Sequence, residues 1–284
     1  MRIKVIQKDG GKLLVNEEFS ELLASNGIDS FERLWNISGE PVKNVLKTRG
    51  TAKVMLKSDG GRGRIETYIK RFRPESIKEK LKNIVSFRPN RYPGALNEWN
   101  AIIEFHRNDL PTMLPVACGI EGGNSCILTL GISDYRRASE LFAEFAGKER
   151  SRRRKLIRRI AELAGGMHSA RLAHQDFYLV HMFVREKEGD KAYLIDLQRV
   201  VFGNDFSERW RVKDLAQLLY SAGKTVSMTD KLYFWKIYTG IAGARLFRDK
   251  ALIKKIFRKA SAIGRHAGRT MLKRGDGQWV SLYF

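Results

Sequence analysis

The spacing of apolar residues divides the chain into a strand-rich beginning and a helical end. Near the start, Ile3-Lys4-Val5-Ile6 has strand-like alternation, and Glu17 to Ala24 has helical spacing. From Val42 to Phe72 the pattern is that of strands: Val45-Leu46-Lys47, Ala52 to Leu56, and Ile65 to Phe72. Gly50 and Ser58-Asp59-Gly60-Gly61-Arg62-Gly63 separate them, and turn residues between alternating segments predict an antiparallel meander. A basic, irregular stretch, Arg73 to Tyr92, and the turn Pro93-Gly94 come next. Leu96, Trp99, Ile102 and Ile103 then recur at helical spacing, which predicts a helix from Ala95 to about Arg107. Leu114 to Gly119 and Ser125 to Ile132 read as two strands joined by Glu121-Gly122-Gly123-Asn124.

From Ala138 the pattern is helical. Ser151 to Ser169 puts Leu156, Ile160, Leu163 and Met167 on one face, with Arg152, Arg153, Arg154, Arg158 and Arg159 around the first turns. That arginine run reads equally as a solvated face and as a surface for phosphates or anionic lipid. Leu172 to Arg199 reads as a hairpin: Asp176 and Asp196 each stand beside an apolar run, and the polar turn Arg185 to Asp190 joins the halves. Helices resume from about Trp210 to Ala222, then through Tyr233, Trp235 and Tyr238, then through Leu252, Ile256 and Ile263. The expected fold class is α+β. Residues 1–131 form an antiparallel sheet plus a helix, and residues 132–284 form a mostly helical part.

With 284 residues, 43% of them hydrophobic, the chain can bury one large core or two smaller ones. Lys plus Arg is 53 against 31 for Asp plus Glu, a net charge of +22. Such an excess points to an anionic partner: nucleic acid, an anionic membrane surface, a phosphorylated substrate or an acidic protein. Cys118 and Cys126 have no metal-ligand spacing, which fits a reducing cytosol and not a disulfide scaffold. Met1-Arg2-Ile3-Lys4 lacks the apolar core of a signal peptide, and no apolar run approaches the roughly 20 residues of a membrane span. The expected location is the cytoplasm, peripheral to a membrane's inner face.

Two aspartates beside apolar runs gain meaning from what precedes them. Phosphoryl transfer needs cations on the β- and γ-phosphates, a carboxylate to orient the attacking hydroxyl, and metal ligands. Strand-strand-strand-helix-strand-strand is the order of the N-terminal lobe of a protein-kinase-like bilobal fold. Tyr68-Ile69-Lys70-Arg71-Phe72 has the look of V-A-I-K, with Lys70 to hold the α/β-phosphates of ATP. Glu98, near the edge of the helix's apolar stripe, is its expected partner. The phosphate loop of such a lobe lies between the first two strands, which assigns it to Thr48-Arg49-Gly50-Thr51 and its glycine to Gly50. Asp59 to Gly63 is then the next turn, and Leu130-Gly131-Ile132 the hinge. His174-Gln175-Asp176 resembles H-R-D, so Asp176 would accept or orient the proton of an acceptor alcohol. His181 stands where protein kinases carry a metal-binding asparagine, and Asp196 where they carry the magnesium-binding aspartate. Leu197-Gln198 replaces Phe-Gly, no A-P-E occurs, and little chain separates Asp196 from the next helix. A small molecule or a sugar is therefore the expected acceptor, not a peptide.

Taken together the residues resemble the bacterial lipopolysaccharide kinases, which phosphorylate heptose or Kdo sugars of the inner core. The resemblance lies in His174-Gln175-Asp176-Phe177-Tyr178-Leu179-Val180-His181, in Leu194-Ile195-Asp196-Leu197-Gln198-Arg199 and in Arg209-Trp210-Arg211-Val212-Lys213-Asp214-Leu215-Ala216. Phe31-Glu32-Arg33-Leu34-Trp35-Asn36 looks like the family's opening segment. The resemblance implies ATP and Mg²⁺ as cofactors, a lipopolysaccharide inner-core sugar as acceptor, and work at the inner face of the inner membrane. It implies catalysis by Asp176, metal binding by Asp196 and phosphate binding by Lys70, with Asp214 as the buried aspartate that braces the catalytic loop. A histidine at the asparagine place is usual for the family. His181 would either bind metal weakly or hydrogen-bond a phosphate or Asp196. His174 is expected to bond backbone near Asp196, and His168 to cap its helix.

The basic residues Lys254, Lys255, Arg258, Lys259, Arg265, Arg269, Lys273 and Arg274 read as a solvated helical cap or as a platform for a lipid-anchored glycan at an anionic membrane. An acidic carrier protein would also suit them, and nucleic acid is not expected. Rival readings are an aminoglycoside- or choline-type kinase, an atypical protein kinase, and a basic binding module on a degenerate kinase fold. The first would want an acidic pocket, which the charge balance disfavours.

Overall fold

The computed structural model describes residues 2–46, 49–58, 63–74, 94–145, 148–185 and 191–274. It divides into two compact units: Met1–Ser133 with Leu197–Val200, and Asp134–Asp196 with Val201–Phe284.

The first unit is built on a sheet. Its elements are β1 (Val5–Lys8), β2 (Leu13–Asn16), α1 (Ser20–Ser25), α2 (Phe31–Asn36), β3 (Glu40–Leu46), β4 (Arg49–Lys57), β5 (Arg64–Phe72), α3 (Ala95–Arg107), β6 (Pro115–Glu121) and β7 (Asn124–Leu130). The strands run in the order β1-β2-β6-β7-β5-β4-β3, with antiparallel neighbours throughout. Strand side chains alternate between faces, and β5 shows the consequence. Ile69 joins Leu13, Val15, Leu22, Leu23, Phe31 and Leu34 in a core under α1 and α2. The next residue, Lys70, therefore points to the opposite face, where it meets Glu98 of α3.

Several expectations need adjusting. Strand β2 is absent from the sequence reading; it forms because Leu13 and Val15 alternate into the core, and it extends the sheet beyond β6. Glu17 to Ala24 begins as a 3₁₀ turn, Glu17–Phe19, before α1. Gly50 lies inside β4, opposite Arg71, and not in a loop; Thr48 lies outside the described residues. So do Asp59, Gly60, Gly61 and Arg62, although β4 and β5 pair up to Lys57 and Arg64 on either side.

The second unit contains β8 (Arg136–Arg137), α4 (Ala138–Glu144), α5 (Arg150–Ser169), β9 (Leu172–Ala173), β10 (Met182–Val184), β11 (Ala192–Leu194), β12 (Val201–Phe202), α6 (Glu208–Ala222), α7 (Met228–Ala242) and α8 (Lys250–Arg274). The expected hairpin of Leu172 to Arg199 is two nested pairings, β10 with β11 and β9 with β12. Only 182–184 and 192–194 alternate cleanly, with Met182, Val184, Ala192 and Leu194 buried. Of the turn, Arg185 is described and 186–190 are not. Leu156, Ile160, Leu163 and Met167 are buried on α5 as their spacing predicts. Gly165 lets α5 approach α7 closely: an added Cβ would lie 2.9 Å from Ile241 Cβ. Among the described residues no helix is long and apolar enough to cross a membrane.

Gly94 sets the start of α3, the helix that carries Glu98. Its φ of 57° and ψ of −131° suit glycine alone, and an added Cβ would lie 2.1 Å from Ser125 Oγ. That hydroxyl accepts the Ala95 N–H at 3.0 Å. Gly94→Ala should destabilise the protein by about 2–3 kcal/mol in denaturant unfolding.

Candidate active site

In the second unit, residues 174–181 belong neither to a long helix nor to a sheet, so their buried backbone groups need other partners. Asp214 of α6 supplies two. Its carboxylate accepts the His174 N–H and the Gln175 N–H, each at 2.7 Å, and it is fully buried. Gln175 adopts a left-handed φ of 67°, a conformation that costs a non-glycine residue about 1 kcal/mol or more. Held this way, the turn carries Asp176 at its end. The Asp176 carbonyl accepts from Tyr178 N–H at 2.8 Å and from His181 Nδ1 at 2.7 Å.

His181 also faces Asp196. Since its Nδ1–H is given to the Asp176 carbonyl, a neutral ring turns its Nε2 lone pair toward Asp196 Oδ2, 3.9 Å away. Two lone pairs so placed repel unless a proton or a cation lies between them. Asp196 has a left-handed φ of 65° and follows Ile195, whose carbonyl accepts from His174 Nε2 at 3.0 Å. His174 thus bonds backbone next to Asp196. These two side chains, Asp196 and His181, are the pair able to hold a metal. No group of three or more His, Cys, Asp or Glu side chains does so among the described residues. Magnesium bound with a nucleotide typically takes one or two carboxylates, with phosphate and water oxygens completing its shell; Asp196 offers one such carboxylate, and the imidazole of His181 is a poor magnesium ligand.

In the first unit, Lys70 Nζ lies 2.7 Å from Glu98 Oε1. Glu98 is completely buried, while the lysine side chain keeps 24% of its surface exposed. A buried carboxylate is costly and is tolerated because the ammonium compensates it. One residue earlier, Asn97 Nδ2 donates to the carbonyls of Gln198 at 2.9 Å and Val200 at 3.3 Å. Arg49 of β4 donates to Gln198 Oε1 at 3.0 Å. These bonds explain why residues 197–200 pack with the first unit although Asp196 belongs to the second.

The family model for the Lipopolysaccharide kinase (Kdo/WaaP) family matches residues 32–238. The chain belongs to this family. It is 31% identical over 225 residues to the Escherichia coli lipopolysaccharide core heptose(I) kinase WaaP, covering 75% of this chain and 82% of that protein. With the Pseudomonas aeruginosa protein of the same name it is 30% identical over 270 residues, covering 89% and 96%. A solved structure, WaaP in complex with acyl carrier protein, has a TM-score of 0.68 and 24% identity, and covers 92% of this chain and 99% of that one. The fold is α+β, kinase-like and bilobal. As a lipopolysaccharide kinase the protein is an ATP-dependent phosphotransferase of the inner core, with a sugar hydroxyl as acceptor.

The lipopolysaccharide kinase also contains a site feature that the sequence reading missed. His168 does not merely cap α5. It is buried, with Nδ1 2.9 Å from the Tyr238 hydroxyl and Nε2 3.3 Å from Asp214 Oδ2. An ionised carboxylate can only accept, so Nε2–H donates to Asp214 and Nδ1 accepts from Tyr238. Burial pushes the Tyr238 hydroxyl up and keeps it a donor. Asp214 thereby collects donors from His168, His174 and Gln175. A polar residue at the buried end of an otherwise apolar helix stripe was the available signal, since His168 follows Met167 directly.

Burial lowers the pKa of both His168 and His174; beside it, Asp214 partly offsets the first shift and the His181 ring adds to the second. Both rings are fully buried when folded, and on unfolding they regain the ordinary value of about 6.5. The unfolded chain then binds more protons below about pH 6.5, so this stability is whole above that pH and declines as the pH falls toward the folded values. Denaturant-unfolding free energy should therefore fall as the pH is lowered from about 7 to 5.

Proposed function

We propose that the protein moves the γ-phosphate of ATP to a hydroxyl of the first heptose of the lipopolysaccharide inner core. The observation that carries this is the Asp214-held turn that presents Asp176, in a chain whose family match spans 32–238. Asp176 orients the acceptor hydroxyl and takes its proton as the sugar oxygen bonds to phosphorus and ADP leaves. Lys70, braced by Glu98, holds the α/β-phosphates. Mg²⁺, when bound, offsets phosphate charge, with Asp196 as its protein ligand and His181 beside it. His174 and Asp214 keep the turn and Asp196 in register. The relatives named as heptose(I) kinases support heptose over Kdo as the acceptor.

Charge and packing support two partners. Lys254, Lys255, Arg258, Lys259, Arg265 and Arg269 are exposed on α8, which suits the anionic inner face of the inner membrane and a cytoplasmic location. An apolar cavity of about 350 Å³ opens in the second unit, lined in part by Ile160, Leu179, Leu218, Met228, Leu232 and Phe257. Met228, Leu232 and Phe257 are exposed at 62%, 61% and 46%, so the cavity has an apolar mouth among cations. An acidic acyl carrier protein fits this combination: its charge suits α8 and its acyl chain suits the cavity. The solved WaaP complex with such a protein supports this partner.

Asp176→Ala should lower phosphate transfer to a lipopolysaccharide lacking core phosphate by about 10³-fold or more, with ATP binding retained. Mass spectrometry of core oligosaccharide from cells carrying each version identifies the sugar; full residual activity would remove Asp176 from the role. For the carrier, Leu218→Trp, which fills the cavity, should weaken binding of an acylated carrier protein about tenfold and leave the unacylated form unchanged. Equal effects on both forms would assign the cavity no part in it.

A further inference from the structure

Asp214 is one of three polar residues on one face of α6. Gln217 and Ser221 follow it at spacings that stack side chains on a single side of a helix, among buried Leu215, Ala216 and Leu218. All three turn to the same loop. Gln217 Oε1 accepts the Phe177 N–H at 3.0 Å, and Gln217 Nε2 donates to the Gln175 carbonyl at 2.8 Å. Ser221 Oγ accepts the Leu179 N–H at 3.1 Å. The two partners of Gln217 fix which end of its amide is oxygen, because an N–H must meet the acceptor and a carbonyl the donor. Gln217 is 3% exposed, so both bonds are shielded from competing water.

We infer that Gln217 is a positioning residue for Asp176. The inference rests on Asp176 being the carboxylate that takes the acceptor proton. Asp214 holds the amides before Asp176, and Gln217 holds the carbonyl of Gln175 and the amide of Phe177. The peptide planes on both sides of Asp176 are therefore tied to one rigid helix. A carboxylate that must meet a hydroxyl within hydrogen-bonding distance gains from having both flanking peptides fixed, because a misplacement of about 1 Å can cost about 10²-fold in rate. An apolar residue at 217 would pack equally well in this stripe and would leave a buried N–H and a buried carbonyl without partners. Glutamine is suited to the place because it alone of the uncharged side chains of that length both donates and accepts.

The test uses the full chain with ATP and a lipopolysaccharide lacking core phosphate. Gln217→Met, close in length and shape, removes both bonds. The expected result is a fall in kcat of about 10- to 100-fold, with the KM for ATP within about twofold and one nucleotide site per chain by titration. Ser221→Ala, which frees only the Leu179 amide farther from Asp176, should lose less kcat than Gln217→Met. A purely structural role would instead reduce the number of nucleotide-binding chains and leave kcat per binding chain unchanged; that outcome overturns the inference. If Gln217→Met does not fold, Gln217→Glu carries the test: it keeps an acceptor for Phe177, lacks the amide donor for Gln175, and should still lower kcat per binding chain. Asp176→Ala run alongside separates the two ideas. An inactive Asp176→Ala with a fully active Gln217→Met sinks the positioning role alone, whereas an active Asp176→Ala sinks the catalytic assignment on which it rests.

Discussion

The structure depends most on one buried carboxylate and the amides gathered around it. Asp214 is fully buried, and its two oxygens take the His174 and Gln175 N–H groups at 2.7 Å each. A charge so placed is tolerable only when fully hydrogen-bonded. The requirement works in both directions. The loop needs partners because it has no strand or long helix of its own, and the carboxylate needs donors because burial shields it from solvent. His168 completes the set, and Tyr238 fixes which nitrogen of that ring donates. Helices α5, α6 and α7 each give one residue to this network, so the packing of the three helices also shapes the loop.

The first unit shows a second use of buried charge. Glu98 is enclosed completely, and Lys70 reaches it while remaining partly exposed. Buried ion pairs often stabilise a fold no more than an apolar pair of similar volume would. Keeping an ion pair there makes sense where one end of the lysine has an anion to meet. The same helix turn also carries Asn97, which holds the carbonyls of Gln198 and Val200. One helix turn therefore holds both the lysine and the residues that follow Asp196.

The surplus of 53 basic over 31 acidic residues is partly absorbed inside the fold and partly displayed. Arg153 pairs with the nearly buried Asp230, and Arg154 stacks over Tyr233 at 5.0 Å. The α5 arginines thus serve packing as well as solvent. On α8 Lys254, Lys255, Arg258, Lys259, Arg265 and Arg269 are exposed while Leu252, Ile256 and Ala260 face inward, an amphipathic division that leaves a basic surface beside an apolar cavity. Acyl chains and anionic groups occur together on membranes and on acylated carriers, which gives this pairing its chemical sense.

Much of this was written in the linear pattern. Alternation in β4 and β5, the helical stripe of α3, and short motifs ending in Asp176, Asp196 and Asp214 are local properties, and local periodicity survives in a bare sequence. Lys70 and Glu98 were readable as candidates from the order of strands and helix in which they stand, since each taken alone reads as well as a solvated residue. Other features were decided only by tertiary structure. Strand β2 is too short to be told from a loop until it finds β6, and Gly50 belongs to a strand because β5 pairs with it. The hairpin drawn around the two aspartates became nested pairings once the loop's amides bonded to α6 instead of to each other. Gln217 and Tyr238 looked like ordinary helix residues, and His168 stood out only as a polar residue beside an apolar stripe. Their importance comes from which buried backbone or side-chain groups lie opposite them, and that is a relation across 40 to 70 residues that no local spacing encodes.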